Sequence, residues 1–156
     1  MSVTTLSAFL DELATQLAAR SGLAGVNVFT CPVRPEELGT EAIELAAETV
    51  IEQGRRAMNS TTQEESYEVT GSVLAYRSIP PASGGINTAA KAARDRAEAI
   101  LEEVIDEVAT NDTMTAKVRD VQLTGQTWRQ GYAPEGQLGR FCSVEFTLTV
   151  GASVTP

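Results

Sequence analysis

The chain has no histidine, and its only cysteines are Cys31 and Cys142, far apart in the sequence. Without histidine, neither a Ser-His-Asp nor a Cys-His arrangement can form, which excludes the commonest nucleophilic hydrolase mechanisms. The di-iron carboxylate sites of helical bundles are excluded as well, because they use Glu-x-x-His ligand pairs. The sequence therefore predicts no catalytic, cofactor-binding or metal-ligating residues and indicates that the protein is not an enzyme. Both cysteines lie in apolar strand patterns, which predicts reduced core residues.

Aromatic residues and long apolar runs are also scarce. Aromatics make up 5% of the chain against a hydrophobic fraction of 42%, so the core must be built from Val, Ile, Leu and Ala. No apolar run approaches the roughly 20 residues that span a bilayer, and the first residues do not form a signal-peptide pattern. We therefore expect a single domain over residues 1–156 that is cytosolic at synthesis and has no membrane partner.

The net charge of −9 disfavours a nucleic-acid binder that acts by phosphate neutralisation. It is compatible with a protein that lines a DNA passage, because an acidic wall repels the backbone. Trp, Tyr and Arg are the residue types enriched at interface hot spots, and the sequence has two such groups: Arg55 with Arg56, and Trp128 with Arg129 and Tyr132. We predict these five as interface residues, with core packing at a strand end as the alternative for Trp128.

One predicted helix carries a strongly acidic face. Glu98, Glu102 and Asp106 recur at four-residue spacing, and Glu103 and Glu107 repeat the pattern. Like charges at this spacing repel each other, and these lie towards the negative end of the helix dipole. The ordinary interpretation is a solvated face. The alternative is that the face has an electrostatic function, as the wall of a lumen or as a joint with a basic partner.

Hydrophobic periodicity predicts a two-layer α+β fold, with a mostly antiparallel sheet of about five strands and two helices packed on one face. The predicted helices cover 4–20 and 87–110, and the clearest predicted strands cover 26–31, 67–76, 117–128 and 140–151. Long loops are predicted at 54–66 and 129–139. Segment 40–53 fits a strand and a helix equally well by period, and its alanines and glutamates favour helix by propensity.

The order of these elements resembles that of the tail terminator and tail completion proteins of long-tailed, siphovirus-like bacteriophages. The matching stretches are 65–69 (ESYEV), 97–101 (AEAIL) and the closing strand 144–150 (VEFTLTV). Residues 42–45 (AIEL) resemble the second strand of that family, and for this reason we predict a strand over 40–53. The resemblance covers nearly the whole chain but rests on pattern, without an invariant motif.

The resemblance implies a structural virion protein that forms a hexameric ring at the head-proximal end of the tail. Such a ring caps the tail tube, ends its polymerisation and joins the tail to the head-side connector. The implied partners are further copies of the chain, the tail tube protein, the connector protein and double-stranded DNA that passes through the lumen without specific binding. The implied place of assembly is the host bacterial cytoplasm. Two alternatives stay open: a head-to-tail connector of the neck, and a small soluble ligand-binding module that uses the 129–139 loop.

Overall fold

The computed structural model describes residues 4–54, 61–79, 85–133 and 138–155, except for the side chains of 46–48. It confirms a two-layer α+β fold in which two helices pack on one face of a five-stranded sheet. The helices are α1 (Leu6–Ala19) and α2 (Gly85–Thr110), and the strands are β1 (Asn27–Phe29), β2 (Glu41–Gln53), β3 (Gln63–Ser78), β4 (Asp120–Tyr132) and β5 (Gly139–Val154). Within the described residues, no helix is long and apolar enough to cross a membrane.

The strand order across the sheet is β1-β2-β3-β5-β4, so β4 and the short β1 form the two edges. Every neighbouring pair is antiparallel except β1 with β2, which is parallel. The connection from β3 through α2 to β4 passes over β5, which places α2 across the centre of the sheet. In the part of the chain that the structure describes, no element covers the face of the sheet opposite the helices.

The ambiguous segment 40–53 is a strand, as predicted. It pairs with β3 from Glu41 opposite Ala75 to Gln53 opposite Glu65, with an irregularity between Glu44 and Glu48. Ala42, Ile43 and Leu45 at its start are almost fully buried. Helix propensity is a weak preference of the order of tenths of a kcal/mol per residue, and pairing with the long central strand overrides it.

The core lies between the sheet and the helices, and Phe146 is its central aromatic side chain. The predicted inward residues of β5 are all buried: Cys142, Val144, Phe146, Leu148 and Val150. Opposite Phe146 on β3 lies Gly71, where an added Cβ would sit 2.5 Å from the phenyl ring. Only a residue without a side chain leaves room for the ring at this position.

Helix α1 is held to the sheet by a contact that is distant in sequence. The Thr5 N–H donates to Glu65 Oε1 at 2.7 Å, and the Thr5 hydroxyl donates to the same oxygen at 2.6 Å. A carboxylate at a helix N-terminus also interacts favourably with the helix dipole. Tyr67 lies beside this contact. Burial raises its pKa to about 12, and the Glu65 charge acts in the same direction, although the hydrogen bond with Thr5 opposes both.

The predicted strand at 117–128 begins later than expected, at Asp120. The reason is a left-handed turn after α2, in which Met114, Thr115 and Ala116 have φ values of 43°, 54° and 63°. Such a conformation costs about 1–2 kcal/mol per residue for non-glycine residues. The turn is held by the fully buried Met114 side chain and by the Thr115 N–H, which donates to Asn111 Oδ1 at 2.9 Å.

We expect Phe146→Ala to lower the free energy of unfolding by about 3–5 kcal/mol, because the change leaves a cavity at the centre of the core. Phe141→Ala is the matched control, since Phe141 is half-buried on the opposite face of the same strand, and its loss should be clearly smaller. Denaturant unfolding of both variants measures the difference. Equal losses would show that Phe146 is not central to the core.

Candidate functional site

The uncovered face of the sheet, here called the outer face, is polar and rich in hydroxyl groups. Because strand side chains alternate between faces, the residues between the buried positions of β3 and β5 all point this way. They include Ser66, Glu68, Thr70, Ser72, Ser143, Glu145, Thr147 and Thr149. The Thr149 hydroxyl lies 3.1 Å from that of Thr124 on β4. Leu74, Tyr76 and Phe141 lie on the same face towards one end of the two strands, so the polar character covers most of the face and not all of it.

A shallow depression of about 230 Å³ lies on the outer face near the end of β2. Its lining consists of Val50, Glu52, Ser66, Tyr67, Glu68 and Thr149. Small-molecule sites are usually clefts of about 300–1,000 Å³ with predominantly apolar walls. The depression is smaller and largely polar, so it does not favour the ligand-binding alternative. In the part of the chain that the structure describes, no group of three or more His, Cys, Asp or Glu side chains could hold a metal ion.

Trp128, Arg129 and Tyr132 lie on β4, so the predicted loop at 129–139 is wrong for residues 129–132. The ladder with β5 continues to Tyr132 opposite Arg140. Trp128 lies opposite the buried Val144, whereas Arg129 lies opposite Ser143 of the outer face. The two aromatic side chains are therefore on the helix side of the sheet and Arg129 is on the other side. The three residues do not form one cluster.

These β4 side chains are open to solvent because β4 is an edge strand. The exposed fraction is 42% for Trp128 and 78% for Tyr132, which excludes the alternative that Trp128 is a core residue. The Arg129 guanidinium approaches the Glu145 carboxylate only to 3.9 Å, in an exposed pair of the kind that contributes little to stability.

Arg140 belongs to the aromatic group on β4, although the sequence analysis did not identify it. Its guanidinium carbon lies 4.7 Å from the centre of the Tyr132 ring, which is a cation–π contact. This contact could have been predicted only from the register of β4 against β5, which a single sequence does not determine. Tyr132 and Arg140 are thus the aromatic and basic pair that the structure brings together, and Trp128 lies on the same side of the sheet four residues earlier on β4.

Two further predictions concern Arg55 with Arg56 and the two cysteines. Arg55 and Arg56 lie outside the described residues, and β3 begins at Gln63, earlier than the predicted strand start at residue 67. Cys31 is exposed, so its assignment to the core is wrong: β1 ends at Phe29 and leaves Cys31 beyond the sheet. Cys142 is buried, and this burial raises the pKa of its thiol despite the opposing charge of Arg94.

Arg20 from the end of α1 neutralises part of the acidic face of α2. Its guanidinium forms ion pairs with Glu103 and, at 3.0 Å, with Glu107, which is 7% exposed, and it approaches Asp106 to 3.8 Å. The hydrogen bond to Glu103 is the main cause of the raised pKa of Arg20, in spite of partial burial. Arg20 thus gives three of the five carboxylates of this face, Glu103, Asp106 and Glu107, a basic partner. Exposed Glu98 and Glu102 have no ion pair among the described residues.

A second ion-pair cluster lies near the middle of α2, around Glu41. Its carboxylate accepts hydrogen bonds from Arg77 at 2.6 Å and from Arg96 at 2.9 Å. Burial acts to raise the pKa of Glu41, but the hydrogen bonds and charges of the two arginines outweigh it and lower the pKa. This cluster ties β2, β3 and α2 together and is structural, since each charge is engaged with another.

We expect Arg20→Met to lower the free energy of unfolding by about 1–3 kcal/mol, because it leaves the buried Glu107 carboxylate without its charged partner. Arg94→Met is the matched control. Arg94 is exposed on α2, and its loss should change stability by no more than about 0.5 kcal/mol. Thermal and urea unfolding compare the two variants. An unchanged stability in Arg20→Met would mean that Arg20 does not stabilise the acidic face.

A scan of the chain against protein-family models finds no match, and a search of curated proteins finds no significant match. Three features of the structure bear on function: the polar face of the sheet opposite the helices, the exposed aromatic edge on β4, and the carboxylates of α2 that Arg20 does not reach.

Proposed function

We propose that this protein is a structural subunit of a phage tail, which assembles as a ring that caps the tail tube, ends tube polymerisation and joins the tail to the head-side connector. The observation that carries the proposal is the incomplete sheet. One face is covered by helices, the other is polar and open, and the long edge strand β4 exposes Trp128 and Tyr132. A chain with such a surface is suited to contacts with neighbours and not to enclosing a small ligand.

The two edges of the sheet are unlike, and this difference favours a ring. β4 is paired along its length on one side, whereas β1 covers only the first residues of β2. Unlike edges favour a head-to-tail contact between copies, and such contacts generate closed rings when the rotation closes. In this proposal the partners are the chain itself as a hexamer, the tail tube protein and the head-side connector protein.

The proposed lumen carries double-stranded DNA without binding it specifically. Net charge disfavours adhesion to phosphates, and repulsion between like charges acts over a Debye length of about 8 Å at physiological salt. Of the five carboxylates of the acidic face, Glu98, Glu102 and Asp106 remain exposed, and Asp106 lies 3.8 Å from the Arg20 guanidinium. We assign these to the lumen wall or to a joint with a basic partner, while Glu103 and Glu107 serve mainly to bind Arg20.

The test of the ring is assembly of the purified chain, alone and on isolated tails. We expect sedimentation at high protein concentration to show a closed oligomer, and electron microscopy to show a ring at the head-proximal end of tails that lack one. A chain that stays monomeric and leaves those tails unchanged would refute the proposal. Binding to filled heads and not to tails would favour the neck connector instead.

The acidic surface is tested by charge reversal. We expect Glu102→Lys combined with Asp106→Lys to impair DNA passage or assembly while the subunit remains folded, because it replaces repulsive charges with attractive ones. Glu68→Lys with Glu145→Lys is the matched control on the outer face of the sheet. Infectivity and DNA ejection measure the effect. Normal behaviour of the helix variant would identify a merely solvated face, and a defect only in the sheet variant would move the lumen to the outer face.

A further inference from the structure

We propose that the β4 edge of one subunit pairs with the β1–β2 edge of a second copy, so that the sheet continues across the subunit boundary. This inference rests on the proposed ring and names the contact that would build it. The occupant of the β4 edge is therefore a strand of the same chain, and the contact is head-to-tail.

Beyond an early irregularity, the β4 edge lacks the features that normally protect an edge strand. Natural edges are kept from pairing by short length, lysine, proline, inward-pointing charges or β-bulges. β4 is 13 residues long, contains neither lysine nor proline, and carries only Asp120 and Arg129 as charged residues. Its irregularity lies between Leu123 and Gly125, and the following residues to Tyr132 form a regular ladder with β5. Among the described residues, no strand pairs with their other side.

The opposite edge of the sheet is also incomplete. β1 pairs only with Ala42 to Glu44, so the rest of β2 to Gln53 has no strand on that side within the described residues. Val50 and Ile51 in this stretch are 61% and 37% exposed. The contact proposed below is with β1, and this stretch of β2 flanks it one strand spacing, about 4.8 Å, further in.

Strand directions allow the two edges to meet as an antiparallel pair. Because β4, β5, β3 and β2 alternate in direction, β4 runs opposite to β2 and to β1. If copies are related by rotation about an axis roughly parallel to the strands, β4 of one copy can lie antiparallel to β1 of the next copy. One row of paired residues crosses the whole sheet, and it consists of Val28, Ile43, Val73, Val144 and Trp128. Without a shift in register, the Trp128 of one copy would lie beside the Val28 of the next and extend this apolar row.

The charges on the β2 flank disfavour a twofold contact between two β2 edges. Carboxylates predominate there, namely Glu36, Glu37, Glu44 and Glu52, with Arg34 as the exposed base near them. The β4 flank has mixed charge: Lys117 is exposed, Arg119 pairs with Asp120 and Glu64, and Arg129 approaches Glu145. Two β2 flanks would repel each other, whereas a β4 flank does not repel a β2 flank. This difference is compatible with the head-to-tail arrangement that a ring requires.

The native Cys31 provides a direct test, because it is exposed and follows β1. Thr127 on β4 lies in the same row as Phe29, so without a shift in register Cys31 of the next copy would be about 7 Å further along the strand. A flexible bismaleimide spans that distance. We expect Thr127→Cys to give a ladder of covalent oligomers that ends at the closed ring, while the buried Cys142 does not react.

The control carries Thr127→Cys together with Cys31→Ser, which leaves one exposed cysteine in each subunit. A head-to-tail contact then gives no cross-link, whereas a twofold β4–β4 contact gives dimers and overturns the proposal. Sedimentation of the unmodified chain runs in parallel. A ring without the cross-linked ladder overturns this interface and leaves the proposed function standing, and a monomer without the ladder overturns both.

Trp128→Lys tests the same edge independently, because lysine is a natural means of protecting an edge from pairing. We expect it to weaken assembly about tenfold or more, as loss of a buried aromatic anchor does, with an unchanged melting temperature. Ala109→Lys, at an exposed position of α2, is the matched control and should assemble normally. Normal assembly of Trp128→Lys would overturn the proposal.

Discussion

Strands β3 and β5 pair without a break from Gln63 opposite Val154 to Ser78 opposite Gly139, and every other element is placed relative to this pair. Their inward side chains form the floor of the core, and their outward side chains form most of the outer face. The pair is close-packed at its centre because Gly71 leaves room for the Phe146 ring. β2 and β4 extend the pair on either side, and α2 lies across it. A disturbance of this ladder would therefore affect the core, both faces and both edges together.

The helices are joined to this framework by charges as well as by apolar packing. Arg20 connects the end of α1 to Glu103 and Glu107, and Glu41 connects β2 to Arg96 and Arg77. These two clusters contact different halves of α2, so they define how the helix lies along the sheet. They also show that an acidic chain need not present all its carboxylates to solvent. The carboxylates that stabilise packing through ion pairs must therefore be distinguished from those that remain available to contact a partner.

The sheet is asymmetric in ways that a solitary subunit does not require. One face has a helical layer and the other has none, and the longest unprotected edge bears the most exposed aromatic side chains. An open edge of this kind is a liability in a monomer because it invites uncontrolled pairing. In a closed ring the same edge is paired in every copy, and no edge is left free. Pairing of this edge in a ring would connect the fold to the proposed assembly, and it requires no catalytic residue.

The sequence alone determined the architecture in outline. The absence of histidine excluded several catalytic mechanisms, and periodicity predicted the two helices and the strands 67–76 and 140–151, because these depend on local alternation along the chain. The strand at 40–53 was predicted only through the resemblance, since propensity favoured a helix. Tertiary structure decided the rest. The register of β4 against β5 separated Arg129 from Trp128 and brought Arg140 to Tyr132, and the path of α1 brought Arg20 to the acidic face. These contacts join residues that are distant in the chain, and local pattern carries no information about which distant residues meet.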